Sequence, residues 1–156
     1  METDVTSFLE SANINYKVKP HKTDVFTCED AARERNVRLS QIVKCMIGKD
    51  VKGNLHVMLI PGDRTLKIKL VRALAGSIKI TLVQPDEIAK ELGLVVGAIS
   101  PTQLIGKAKF YFDNTIFNEE FVDISSGKPD AGVELLSEDL FNVLGGMKCD
   151  IISKNR

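Results

Sequence analysis

The chain has 156 residues, and its 21 basic side chains are balanced by 21 acidic ones. This is one domain's worth of chain, and a formal charge of zero excludes a protein that coats nucleic acid through excess positive charge, although it leaves room for a local basic patch. No apolar run is long enough to span a membrane, the Met-Glu-Thr-Asp start does not read as a secretory leader, and three scattered cysteines (Cys28, Cys45, Cys149) suit a reducing cytoplasm, so a cytoplasmic protein without membrane contact is expected.

In chain order, residues 3–12 read as a short amphipathic helix, with Val5, Phe8, Leu9 and Ala12 on one face and Thr3 as N-cap. A strand over 15–19 follows, then a helix from Thr27 to about Asn36 with acids in its first turn. Residues 42–48 and 55–60 are two apolar strands joined by Lys49-Asp50-Val51-Lys52-Gly53-Asn54, which reads as a hairpin. A helix is expected over 66–75, closed by Gly76, then a strand over 78–83 and a helix over 84–92 with Pro85 in its first turn and Gly93 at its end. Residues 94–106 have no clean period and read as a long loop, too apolar to be disordered. Strands over 109–112, 120–124 and 133–136, a helix capped by Ser137 and ending at Gly145-Gly146, and a last strand over 147–152 complete the order. Hairpins and helices intermingle without an internal repeat, so the expected fold is a single α+β domain over 1–156, with a mixed, strongly curved, barrel-like β-sheet surrounded by helices.

The chemistry-bearing motifs are few. His21 and His56 are far apart, no Cys or His pair has zinc spacing, and neither a glycine-rich nucleotide loop nor a Gly-x-Ser-x-Gly elbow occurs. No metal or cofactor is therefore expected. Lys44 stands out within Ile42-Val43-Lys44-Cys45-Met46-Ile47. On a strand it shares a face with Ile42 and Met46, while Val43, Cys45 and Ile47 line the other. Such a lysine either snorkels out at the strand end or brings its ammonium into a cavity, where it serves an anion or an ester. Cys45 then points away from it and reads as a core filler.

Two loops accompany Lys44. In Gly97-Ala98-Ile99-Ser100-Pro101, glycine allows close backbone approach and proline fixes the exit, so N–H groups of the loop can stabilise an oxyanion. Ser125-Ser126-Gly127-Lys128 is small and polar and directly follows a strand. The most basic window, Arg64, Lys67, Lys69 and Arg72, reads as a solvated helix face or as a receiver of phosphates.

Taken together, Ile42-Val43-Lys44, Leu66-Lys67 through Ala73-Leu74-Ala75-Gly76, Gly97-x-x-x-Pro101 and Ser125-Ser126-Gly127 resemble the YbaK family, which also supplies the editing insertion of bacterial prolyl-tRNA synthetases. The resemblance runs over nearly the whole chain. It implies a free-standing, metal-independent hydrolase acting on the ester of a mischarged aminoacyl-tRNA, with an aminoacyl-tRNA synthetase as an optional partner and neither DNA nor membrane as one. By the same resemblance Lys44 holds the substrate's 3′ end, and Gly97, Ala98, Ile99, Ser100 and Pro101 position the ester and polarise its carbonyl. Phe26, Thr27, Ser125, Ser126 and Gly127 line the substrate site, and Arg64, Lys67, Lys69 and Arg72 receive tRNA. With no general base in evidence, the substrate's own ribose hydroxyl or side chain is expected to take the proton.

The chain also departs from the family's cysteine-directed members. Ser126 replaces the first glycine of their Ser-Gly-Gly, Gly132 stands at their acidic position, Cys45 follows the lysine where Thr or Ser is usual, and Thr27 replaces an aromatic residue, with Phe26 beside it. Alanine and serine thus stand alongside cysteine as expected acyl groups, with tRNA(Pro) the expected carrier. The alternative from another class is a non-catalytic module that binds aminoacyl-tRNA or a metabolite beside a synthetase.

Overall fold

Reciprocal hydroxyl caps start the first helix. In the computed structural model, which describes residues 2–153, the Thr3 hydroxyl accepts from the Thr6 N–H at 3.2 Å and the Thr6 hydroxyl from the Thr3 N–H at 2.8 Å, ahead of α1 (Asp4–Ser11). β1 (Lys17–Pro20) begins slightly later than expected, and α2 (Cys28–Arg35) starts where Thr27 accepts from the Asp30 N–H at 3.0 Å. The hairpin of β2 (Val43–Asp50) and β3 (Leu55–Pro61) is present, with Lys44 opposite Ile60. α3 (Ile68–Leu74) is shorter than the pattern suggests, because Leu66 leaves the helix to bridge Ile152.

β4 (Ile80–Val83) and α4 (Pro85–Leu92) follow, and the long loop over 94–106 is tightened by one 3₁₀ turn at Pro101–Leu104. Then come β5 (Ala108–Asp113), β6 (Phe121–Ser125), β7 (Ala131–Leu136), α5 (Ser137–Leu144) and β8 (Met147–Cys149). Two expectations need correcting here. Ser137 is not the N-cap of α5: Leu136 takes that position, while the Ser137 hydroxyl donates to the Glu119 carbonyl at 2.8 Å. The last strand stops at Cys149, short of 152, and the Ile151 N–H donates instead to the Asp113 carboxylate at 2.8 Å.

The strands form a three-stranded antiparallel sheet, β1-β7-β6, and a five-stranded mixed sheet, β4-β2-β3-β5-β8. β3 pairs antiparallel with β2 and parallel with β5, which makes it the central strand. Its unbroken apolar run fits that place: Val57 and Leu59 face one core with Phe110, Phe112 and Val133, while Met58 and Ile60 face a second with Val71 and Ile80. A parallel bridge between Ile42 and Asp123 joins the two sheets just before β2. No helix among the described residues is long and apolar enough to cross a membrane.

On β2 and β3, Asp50 and His56 are buried with Tyr111. His56 Nε2 lies 2.9 Å from the Asp50 carboxylate and Nδ1 lies 2.8 Å from the Tyr111 hydroxyl. A carboxylate only accepts, so Nε2 donates to it, and in the neutral ring the tyrosine hydroxyl donates to Nδ1. The hydrogen bond from His56, with others from the Asn54 and Lys52 N–H groups, pulls Asp50 down to about 2.

Because this value lies below that of an unfolded carboxylate, the stabilisation is present above about pH 4. It is lost as pH falls through about 2. Asp50→Asn is expected to lower the urea midpoint near neutrality and to lower it less in strong acid. Equal losses at both ends would show that the charge contributes nothing.

Candidate active site

A cavity of about 270 Å³ opens between α2, the start of β2, the loop over 94–106 and the end of β6. Its wall includes Phe26, Thr27, Lys44, Gly97, Ala98, Ile99, Pro101 and Ser125, residues spread over a hundred positions of sequence. The Lys44 ammonium donates to the Arg64 carbonyl at 2.8 Å, so the lysine is held by its head on the wall of the cavity, with further N–H groups left for a ligand.

The loop after α4 has a defined donor pattern. The Ala98 N–H is taken by the Val95 carbonyl at 3.1 Å and the Ser100 N–H by the Gln103 side chain at 2.8 Å, and Pro101 has none. Among the described residues, the N–H groups of Gly97 and Ile99 have no acceptor. Both residues line the cavity. Gly97 has φ +86° and carries the Phe26 ring so closely that a Cβ there would sit 2.6 Å from Phe26 Cδ1. Phe26 is 62% exposed at this rim. Ser125 ties the loop to β6: its hydroxyl donates to the Ala98 carbonyl at 2.8 Å and accepts from the Gly127 N–H at 3.0 Å.

Other residues singled out in the sequence lie behind or away from this wall. Ser100 and Ser126 are fully buried, and Gly127 packs against Gln103 and Asp4. Lys67 and Lys69 are exposed, whereas Arg72 donates to the Ile80 carbonyl at 3.0 and 2.7 Å and so fastens α3 to β4. Arg64 supplies the carbonyl that holds Lys44, and its own buried Nε has no partner among the described residues. Cys28 and Cys45 line the cavity as neutral thiols, the former raised by burial and the latter pushed up by burial to about 12.

Sequence reasoning missed a buried ion pair at the inner end of the cavity. Arg35 Nη1 lies 3.9 Å from the Asp123 carboxylate, the two side chains being 5% and 0% exposed, and both residues line the cavity. Arg35 Nε donates to His21 Nε2 at 3.0 Å, while His21 Nδ1 donates to the Pro129 carbonyl at 2.9 Å. Asp123 lies opposite Glu134 in the β6–β7 ladder, and Glu134 is paired with Lys19 at 3.2 Å. Burial, then the Glu134 carboxylate, raises Asp123 well above the usual carboxylate range, against the pull of Arg35. One signal of this pair was present in the sequence: Gly132 inside a strand marks a close approach, and a Cβ there would sit 2.1 Å from Arg35 Cζ.

A family model described as "Aminoacyl-tRNA editing domain" matches residues 22–143. The chain belongs to this family. As an editing domain it is a hydrolase of the aminoacyl-tRNA ester bond, and the resemblance read from its motifs holds. It is 26% identical over 145 residues to the prolyl-tRNA editing protein ProX of Acetoanaerobium sticklandii, covering 90% of this chain and 88% of that one. A proline–tRNA ligase of Thermosipho africanus is 31% identical over 83 residues, which is 53% of this chain and 15% of the ligase. The crystal structure of a hypothetical protein superposes with a TM-score of 0.88 at 24% identity, covering 97% of this chain and all of that one, and its fold is the same mixed α+β arrangement.

The raised Asp123 acid has a thermodynamic consequence. The folded state holds an extra proton from about pH 4 upward, so this group's contribution to stability falls as pH rises through that window. Asp123→Asn cannot ionise, so its stability relative to the wild type is expected to improve between acid and mildly alkaline pH in urea titrations. A constant difference would mean that Asp123 is ionised throughout.

Proposed function

We propose that residues 1–156 act as one free-standing editing domain that removes a small amino acid (alanine, serine or cysteine) from mischarged tRNA(Pro). The observation that carries the reading is the pair of open N–H groups, Gly97 and Ile99, on the same cavity wall as the tethered ammonium of Lys44. The ester carbonyl docks on the two N–H groups, which gain strength as its oxygen becomes an oxyanion. Lys44 holds the phosphate or ribose of the 3′ end, and the exposed Phe26 ring offers a flat apolar surface at the mouth.

Water is the nucleophile. Both cavity thiols are neutral, and the Ser125 hydroxyl is already donated to the Ala98 carbonyl. The water oxygen bonds to the acyl carbon and the bond from that carbon to the ribose oxygen breaks. The water's proton is relayed through the neighbouring ribose hydroxyl to the departing ribose oxygen, which leaves as a hydroxyl, and no metal is needed in this scheme. The matched segment of a proline–tRNA ligase supports tRNA(Pro) as carrier and a synthetase as partner.

Lys44→Ala is expected to reduce single-turnover deacylation of Ala-, Ser- or Cys-tRNA(Pro) by about 10²-fold while the fold persists in thermal melts. Unchanged rates would remove Lys44 from the reaction. If the tRNA body lies along α3, Lys67→Glu with Lys69→Glu should raise KM more than it lowers kcat, and wild-type affinity should drop steeply with salt. Arg72 is left intact in that variant because it also fastens α3 to β4. An unchanged KM would place the tRNA on another face.

A further inference from the structure

The Arg35–Asp123 pair has unfilled hydrogen-bonding capacity. Both Asp123 carboxylate oxygens are buried and accept no hydrogen bond among the described residues. The 3.9 Å between Arg35 Nη1 and the nearer oxygen is too long for a hydrogen bond. A group that accepts from one side and donates to the other can bridge such a gap. A hydroxyl does both, whereas a methyl or methylene does neither.

The depth of the pair decides which part of a substrate it meets. Ser125 and Asp123 lie two residues apart on β6 and point to the same face. Ser125 is at the level of the reactive loop, through its bond to the Ala98 carbonyl. Asp123 is one strand repeat, about 6.6 Å, further along and fully buried. An aminoacyl ester seated at Gly97 and Ile99 therefore directs its side chain, rather than its carbonyl, toward the pair. Of the other charges around Asp123, Glu134 faces it across the β6–β7 ladder and is paired with Lys19, and the Arg35 Nε is taken by His21.

We infer that Arg35 and Asp123 form the specificity end of the cavity and select an aminoacyl group with a hydroxyl side chain, serine above alanine. This rests on the deacylase reading. The serine hydroxyl bridges the buried Asp123 carboxyl group and Arg35, while the alanine methyl meets neither. A site built to hydrogen-bond a hydroxyl discriminates strongly against the analogue that lacks it. Asp123 acts here as a specificity-determining residue and takes no proton from the attacking water.

The experiment charges one tRNA(Pro) body with serine or alanine and measures kcat/KM for both esters. The wild type is expected to prefer the seryl ester by at least about tenfold. Asp123→Asn should reduce the seryl rate several-fold more than the alanyl rate. The double variant Arg35→Met, Asp123→Leu, which removes both charges together so that neither is stranded, should bring the ratio to one or below. If the double variant fails to fold in thermal melts, the Asp123→Asn ratio decides. Equal or faster alanyl hydrolysis by the wild type overturns the inference and leaves the deacylase reading standing. Equal loss on both esters in Asp123→Asn also overturns it, because Asp123 would then serve the reaction itself or hold the α-ammonium common to all substrates. Silence toward both esters overturns this inference, and silence toward the cysteinyl ester as well overturns the deacylase reading.

Discussion

A missing side chain makes room for a buried charge. The Arg35 guanidinium lies where any Cβ at position 132 would have to be, so the glycine of β7 is the condition for the cation at the inner end of the cavity. Asp123 then sits 3.9 Å from that cation, and His21, oriented by the Pro129 carbonyl, fixes its direction. A side chain at position 132 would displace Arg35 and leave the buried Asp123 carboxyl group without its cationic neighbour. Helix α2 and the three-stranded sheet are thus coupled through electrostatics as well as apolar packing.

The sheet junction places this network beside the Gly97–Pro101 loop. The bridge between Ile42 and Asp123 brings the head of β2 against β6, so the strand that carries Lys44 and the strand that carries Asp123 and Ser125 converge. β3 anchors the other side through its two buried faces, and its exit at Pro61 leads to the Arg64 carbonyl that receives the lysine. The cavity therefore sits where two sheets meet, with each wall fixed by a different core.

Much of this was legible in the residues. Thr3 and Thr27 announced helix starts through their hydroxyls, and the apolar run over 57–60 announced a strand buried on both faces. Lys44, the Gly97–Pro101 segment and Ser125 were conspicuous because each breaks its local pattern, and they share one wall. Arg35 and Asp123 were not conspicuous. Arginine in the last turn of a polar helix reads as a solvated end complementing the helix dipole, and a single acid on a short strand reads as its solvent face. Only tertiary pairing across distant segments buries them. The same limit applies to α3, where spacing groups Arg72 with Lys67 and Lys69 but its hydrogen bonds to Ile80 set it apart.

The tether on Lys44 bears on entropy. A free lysine carries about 2 kcal/mol of rotamer entropy, most of which an incoming ligand would have to quench. Here the chain quenches it during folding, because the Arg64 carbonyl fixes the ammonium before any substrate arrives. In the role proposed for Lys44 the cation is preorganised, and association draws less on the ligand's own contacts to order it. A surface lysine of equal charge lacks that advantage, so the value of Lys44 lies as much in its stillness as in its sign.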